Sequence, residues 1–303
     1  MTSHILLAAV ILILASACSP KNQFDETEHR KTPSVIWNED TREDVTSKDE
    51  DSPLVQATAL FVRDYRLTKN TTGNFSFEAR PLNSAYPICS DEKFVNENLL
   101  GHCSGVLIGP RTVLTAGHCM PEDMFCSKTY ITFGHTLEKS NSLQIKAGNL
   151  YSCKQVVKRE LTMTRDYAII ELDRDVTQAV PVKIGKGDAL KDEEEVLSIS
   201  YPLGMPLKKD SGKIKRNETG GFYLYARVDT FAGSSGSPLF NSNRELVGIL
   251  TKGAEDFDEE ELDKIRSEKK PGACIRVKRC TDTDCRGERY LKMEGIDLPS
   301  LTN

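Results

Sequence analysis

The sequence has no excess of positive charge, no membrane-length apolar run and no metal-knuckle spacing among its cysteines. Forty basic residues stand against 45 acidic ones in 303, a formal net charge of -5. No basic face for nucleic acid stands out of such a balance. The longest apolar stretch, ILLAAVILILA at 5–15, is too short to span a bilayer comfortably. Cys274, Cys280 and Cys285 cluster without the CxxC pairs of structural zinc sites, so no metal is expected. The acidic run EDFDEEELD at 255–263 lacks the glycine and ligand spacing of a calcium-binding EF-hand loop. No internal repeat of fixed short period is present. What remains is a chain that is 38% hydrophobic and 28% charged, which suits a soluble globular protein with polar extensions. Its length allows one large or two small domains with a proper core.

The apolar stretch lies at the extreme amino terminus and is followed by small residues, the pattern of a secretory signal peptide over 1–18. Two ends are open to it. Ala15-Ser16-Ala17 fits the small-residue cleavage rule, and Cys18 fits a bacterial lipobox in which the cysteine is lipidated. Cysteine usage points the same way: nine is odd, and setting Cys18 aside leaves eight that can pair fully in an oxidising compartment. An exported protein, secreted or held at the cell envelope by a lipid anchor alone, is the expectation.

Residues 19–53 carry ten acids and five bases, with few large apolar residues before SVIW. They read as an acidic arm or propeptide, disordered mainly in its first half. From Leu54 the pattern changes to short β-branched and apolar runs set apart by turn residues: VQATALFV, CSGVLIG, TVLTAG, YITFG, YAIIEL, EVLSIS, FYLYARV and ELVGIL. Such spacing predicts an all-β barrel or sandwich rather than βαβ units. KKDSGKIKRN at 208–217 reads as a polar hairpin, and the acidic run as a solvated insertion, a short helix with acids facing Lys264 and Lys269.

One turn stands apart from this rhythm. DTFAGSSGSPLF at 229–240 packs glycines and serines together directly before strand-like residues. A flexible linker would be longer. A tight turn that holds out a serine hydroxyl needs glycine's conformational freedom, and a serine nucleophile needs a base and a carboxylate to orient that base. Of five histidines, His4 and His29 fall in the signal and the arm, and His102 and His135 have no local signature and read as surface residues. His118 differs. It ends CSGVLIGPRTVLTAGHC, between Cys103 and Cys119, and a bridge between those two would fix the loop that bears the imidazole. Asp166 precedes the apolar strand YAIIEL and is placed to hold one histidine tautomer.

The order His, Asp, Ser is that of chymotrypsin rather than subtilisin or the α/β-hydrolases. TAGHC, DYAIIEL and GSSGSP together resemble the three signatures of the trypsin-like serine peptidases, in the form found in the bacterial branch that includes glutamyl endopeptidases. The resemblance covers about residues 34–255, and SVIWNEDTREDV resembles the start of the mature domain in that branch. It implies an all-β fold of two six-stranded antiparallel barrels, one over 54–185 and one over 186–303 with a cysteine-rich tail. It implies His118 as general base, Asp166 as its orienter, Ser235 as nucleophile, and the amides of Gly233 and Ser235 as the oxyanion hole. The expected activity is endopeptidase cleavage of protein or peptide substrates by a monomer without cofactor.

Two departures matter. Ser234 stands where animal relatives have an aspartate that pairs with a new amino terminus, and no IVGG-type sequence precedes the domain, so activation by that ion pair is not expected; removal of the arm near Ser34 is. Specificity stays open. Asp229, six residues before Ser235, has the spacing of a carboxylate selecting Lys or Arg, while glutamyl endopeptidases use the following threonine, here Thr230, and a histidine whose counted place holds Leu250. A basic or broad preference is the reading adopted; the alternative is that Asp229 caps a turn. The remaining cysteines, Cys89, Cys126, Cys153, Cys274, Cys280 and Cys285, allow fifteen pairings, with one bridge expected inside the last three. Against the enzyme stand an inactive relative that binds through the same cleft and an envelope lipoprotein that uses the β-domain as a scaffold.

Overall fold

The structure, a computed structural model, describes residues 35–45, 52–121, 124–268, 271–281 and 285–299. The signal and lipidation readings, Cys18 included, fall outside these residues. Two short strands open the described chain, β1 (Ile36–Trp37) and β2 (Glu43–Asp44). β3 (Thr58–Arg63) follows, then β4 (Thr68–Lys69) and β5 (Phe75–Ser76). The rest of the first half is β6 (Cys103–Gly109), β7 (Thr112–Thr115), β8 (Thr129–Phe133), β9 (Gln144–Ile145), β10 (Leu150–Leu161) and β11 (Asp166–Leu172). Six of these close a barrel in the order β10-β11-β7-β6-β3-β8, and β4, β5 and β9 form a small separate sheet.

The second half contributes β12 (Glu195–Ser200), β13 (Lys208–Asn217), β14 (Tyr223–Arg227), β15 (Pro238–Asn241), β16 (Leu246–Lys252), β17 (Arg279–Cys280) and β18 (Glu288–Lys292). Here the order is β12-β15-β16-β18-β14-β13, and β13 pairs back onto β12 to close a second six-stranded antiparallel ring, with β2 added beside β13. Closure leaves no long free edge in either ring. The fold is the pair of antiparallel barrels that the sequence resemblance implies.

The strands form where apolar residues are dense enough to be buried. All seven residues of β6 are buried, and six of the seven in β11. Leu60, Phe61, Val106, Leu114, Ile131, Tyr167 and Ile169 are fully enclosed in the first core; Ile214, Leu224, Leu239, Val247 and Tyr290 fill the second.

Three elements differ from the sequence reading. KKDSGKIKRN is not a hairpin but the single strand β13. Two of its polar residues point inward to specific partners: buried Lys208 pairs with Glu97 and Asp44, and buried Asp210 accepts hydrogen bonds from the Thr41 hydroxyl and the Asp229 amide. His135 is buried, and His102 is half-buried with both ring nitrogens enclosed; burial pushes both imidazoles down to about 3, which keeps them neutral. VQA of VQATALFV belongs to a helical turn, Pro53–Ala57, and the strand begins at Thr58. The acidic run does form a helix, Glu259–Glu268, with three acids in its first turn where the helix dipole favours them. Within it Arg266 pairs with Asp263 at 4.0 Å; Lys269 lies outside the described residues.

Four disulfides are described: Cys89–Cys274, Cys103–Cys119, Cys126–Cys153 and Cys280–Cys285. The last is the expected bridge within the carboxy-terminal group. Cys274, Cys280 and Cys285 are therefore all bonded to sulfur and offer no thiolate to a metal.

Candidate active site

His118 lies three residues beyond β7, in a short 3-10 turn spanning Gly117–Cys119. β11 runs antiparallel to β7 with Ala168 opposite Thr115, so Asp166, at the start of β11, comes level with the turn. The carboxylate then makes two contacts with one residue. Asp166 Oδ1 accepts the His118 amide at 2.9 Å, and Oδ2 lies 2.7 Å from His118 Nδ1. The first contact fixes the backbone and the second fixes the ring, leaving Nε2 as the outward nitrogen. The Asp166 side chain is 12% exposed and that of His118 38%, a shielded carboxylate behind an accessible imidazole.

This approach demands the glycine at 117. A Cβ there would lie 2.4 Å from the Glu160 carbonyl oxygen and 3.0 Å from Asp166 Oδ1, so any side chain would drive the histidine turn off its carboxylate. Arg159 Nε holds the same turn from outside by donating to the Gly117 carbonyl at 3.0 Å. The Cys103–Cys119 bridge ties the turn to the start of β6.

The GSSGSP turn comes from the second ring, between β14 and β15. Gly233 and Gly236 have φ of +88° and +83°, the left-handed region that favours glycine. Between them the chain reverses, with the Ser234 amide donating to Phe231 and the Ser237 amide to Ser234. Among the described residues the Gly233 and Ser235 amides donate to no acceptor, while Ser234 is fully buried with its hydroxyl 3.1 Å from Ser200 Oγ. Ser234 is thus held in a neutral hydrogen-bonded pair.

Ser104 stitches the two halves together. Its amide donates to the Ser235 carbonyl at 2.8 Å, and its hydroxyl donates to the Gly233 carbonyl at 2.9 Å and accepts the Tyr201 amide at 3.0 Å. Its own carbonyl accepts Thr115 Oγ1 at 2.7 Å. The serine turn is thereby seated on residues 115–116, next to the histidine turn. Cys119 Sγ is 3.7 Å from the Ser235 carbonyl oxygen. No hydrogen bond joins the Ser235 hydroxyl to the His118 ring among the described residues; such bonds are often long before substrate binds.

Asp229 faces a different task from the one its spacing suggests. Oδ1 accepts the Trp37 amide at 2.8 Å, and Oδ2 accepts the Thr41 amide at 2.8 Å and the Thr41 hydroxyl at 3.1 Å. Both oxygens are engaged by the segment 37–41. Thr230 is buried and donates its hydroxyl to Glu288 Oε2 at 2.8 Å. Leu250 is buried, and its backbone clamps the serine turn: its carbonyl accepts the Gly236 amide at 2.7 Å and its amide donates to Ser237 at 2.9 Å. Ser104, Gly117 and Glu288 escape a sequence reading. Only the chain's own GH dipeptide, glycine directly before the candidate base, signals the close approach at 117.

Residues 103–249 match the trypsin-like peptidase domain family. Among solved structures, the VesB protease of Vibrio cholerae is similar over 84% of this chain and 64% of its own, with 13% identity and a TM-score of 0.51. The chain thus spans less than two thirds of that protein. A Glu endopeptidase in complex with MPD is similar over 72% of this chain and 88% of its own, with 18% identity and a TM-score of 0.47. The matched segment runs from the first cysteine of the histidine loop through the serine turn, so residues 103–249 are similar to the trypsin-like peptidase domain.

Proposed function

We propose that the protein is an exported serine endopeptidase in which His118, Asp166 and Ser235 act as base, orienter and nucleophile. The observation that carries this reading is the double hold of Asp166 on His118, amide and ring together, in the loop on which the GSSGSP turn is seated. Ser235 Oγ attacks the carbonyl carbon of the scissile bond as its proton passes to His118 Nε2, and Asp166 stabilises the imidazolium. The carbonyl oxygen gains negative charge between the Gly233 and Ser235 amides, which have no acceptor of their own among the described residues. His118 gives the proton to the departing amine, leaving an acyl ester on Ser235. Water, deprotonated by the same imidazole, then frees the enzyme and the acid product.

Four disulfides support an oxidising destination. Whether Cys18 is lipidated belongs to the same proposal, and the substrates are proteins or peptides. Cleavage of an unfolded protein substrate tests it: wild type cuts, and Ser235→Ala and His118→Ala each lower kcat by about 10⁴-fold or more. A folded wild type that cuts nothing would favour the inactive binding relative.

A further inference from the structure

Three arginines meet at a cleft that the proposed chemistry does not use. The cleft, about 230 Å³, lies where β3 leaves the first barrel, and Arg63, Arg66 and Arg80 line it with Tyr65 and Tyr86. Many of the other arginines stand beside a carboxylate: Arg111 with Asp175, Arg174 with Asp173, Arg227 with Glu193 and Arg279 with Glu92. Arg63, Arg66 and Arg80 form no ion pair among the described residues, although the chain has 45 acids against 40 bases.

Their partners are neutral and hold them in place without cancelling their charge. Arg63 donates Nη1 to the Thr129 hydroxyl at 3.0 Å, and its guanidinium carbon stacks 4.3 Å from the centre of the Phe125 ring. Arg66 donates Nη2 to the Leu99 carbonyl at 2.6 Å. Arg80 is exposed and is tied through its backbone, the amide donating to Asn98 Oδ1 at 2.9 Å. Asp64, the acid nearest along the chain, accepts the Tyr65 amide at 2.7 Å. Tyr65 itself is 81% exposed and adds a phenolic donor at the rim. Guanidinium forks that are held in place but lack a carboxylate are a ready site for one supplied from outside.

The cleft adjoins the candidate active site on two sides. Leu203, in its wall, donates its amide to the Ala232 carbonyl, and a Cβ built on Gly233 would stand 3.0 Å from that same amide nitrogen. His102, also in its wall, directly precedes Cys103, whose bridge runs to Cys119 beside His118. Residues 100 and 101 from the first barrel donate both their amides to the Gly204 carbonyl, which closes the wall between the two halves. In the proposed reaction the acyl part stays on Ser235 while the departing amine takes its proton from His118. The leaving-group residues therefore begin on the histidine side, and the Cys103–Cys119 bridge leads from that side to His102 and the three arginines.

We propose that this cleft selects an acidic residue on the leaving-group side of the cleaved bond, with Arg63, Arg66 and Arg80 as the groups that recognise its carboxylate. This rests on the peptidase function proposed above. The test uses the full chain and peptides built on one sequence that the wild type cleaves, each amidated at its carboxy terminus so that the varied side chain is the only anion past the cleaved bond. Glu, Gln or Lys is placed in turn at the leaving-group positions nearest that bond. kcat/KM is measured for wild type, Arg80→Gln, the Arg66→Gln/Arg80→Gln double variant and Arg111→Gln, with fluorophosphonate labelling of Ser235 run on each. The expected result is a wild-type preference for Glu over Gln of about 10-fold or more at one of these positions, with Lys below both. The preference falls in Arg80→Gln, approaches equality in the double variant, and survives in Arg111→Gln, whose guanidinium pairs with Asp175 beyond the β6–β7 turn. Labelling shows that a variant is folded, and the exposed Arg80→Gln decides alone where the double variant does not label. A wild type that cuts but shows no preference for Glu at any of these positions overturns the assignment. A preference that persists in the labelled variants of the cleft, or that is lost equally in Arg111→Gln, overturns it too. A wild type that does not label, or labels and cuts no peptide, overturns the peptidase reading itself, and this inference with it.

Discussion

At position 236 a side chain of any size meets backbone. A Cβ there would lie 2.3 Å from the Ser104 carbonyl oxygen and 2.2 Å from Thr115 Oγ1, and the φ of +83° disfavours any L-residue besides. Replacing Gly236 by alanine has to push the serine turn away from residues 115–116 and so part Ser235 from His118. We expect Gly236→Ala to lose about 2–4 kcal/mol of stability and to lose acylation of Ser235 even at temperatures where it stays folded; thermal melts alongside fluorophosphonate labelling read both. Labelling at the wild-type rate would mean that the turn is not positioned by this contact. Gly117 and Gly233 are held to similar demands, which explains why small residues cluster at two places far apart in the chain.

Among the elements, the segment 35–45 does the most with the fewest residues. Val35, Ile36 and Trp37 are buried, β1 pairs with β17, and β2 pairs with β13. Arg42 is fully buried, paired with Asp40 and stacked 3.7 Å from the centre of the Phe231 ring. Asp229 anchors this segment by three hydrogen bonds from Trp37 and Thr41, six residues before Ser235. Truncation to Asp229→Ala leaves two amides without their acceptor, and we expect a cost of about 2–5 kcal/mol, measured by denaturant unfolding. The acyl-side preference of the remaining folded enzyme should not change. A stable Asp229→Ala with an altered preference would return this acid to the substrate pocket.

For the whole molecule, the barrels are legible from the sequence because most of their strands are short, densely apolar and bounded by turn residues, as CSGVLIG and YAIIEL are. β13 is hidden because its inward positions are Lys208 and Asp210, whose partners Glu97, Asp44 and Thr41 lie far along the chain. β10 is hidden for a related reason: bulges near Cys153 and Val156 break its alternation. Chemistry carried by local motifs can be proposed from TAGHC and GSSGSP alone. Glu288 has no such motif, since its contact with the Thr230 hydroxyl arises only where β18 meets the approach to the serine turn. The cysteine pairs divide in the same way. Cys280–Cys285 is local, while Cys89–Cys274 spans 185 residues and follows only from the closed fold.

The central claim is that Asp166, through His118, makes the Ser235 hydroxyl nucleophilic. The rate of fluorophosphonate modification, with the adduct mapped by mass spectrometry in wild type and in Asp166→Asn, measures it without any assumption about substrate. The account predicts one adduct, on Ser235, and a rate about 10³-fold or more lower in the folded Asp166→Asn variant. An adduct elsewhere, or equal rates in the two proteins, would contradict it.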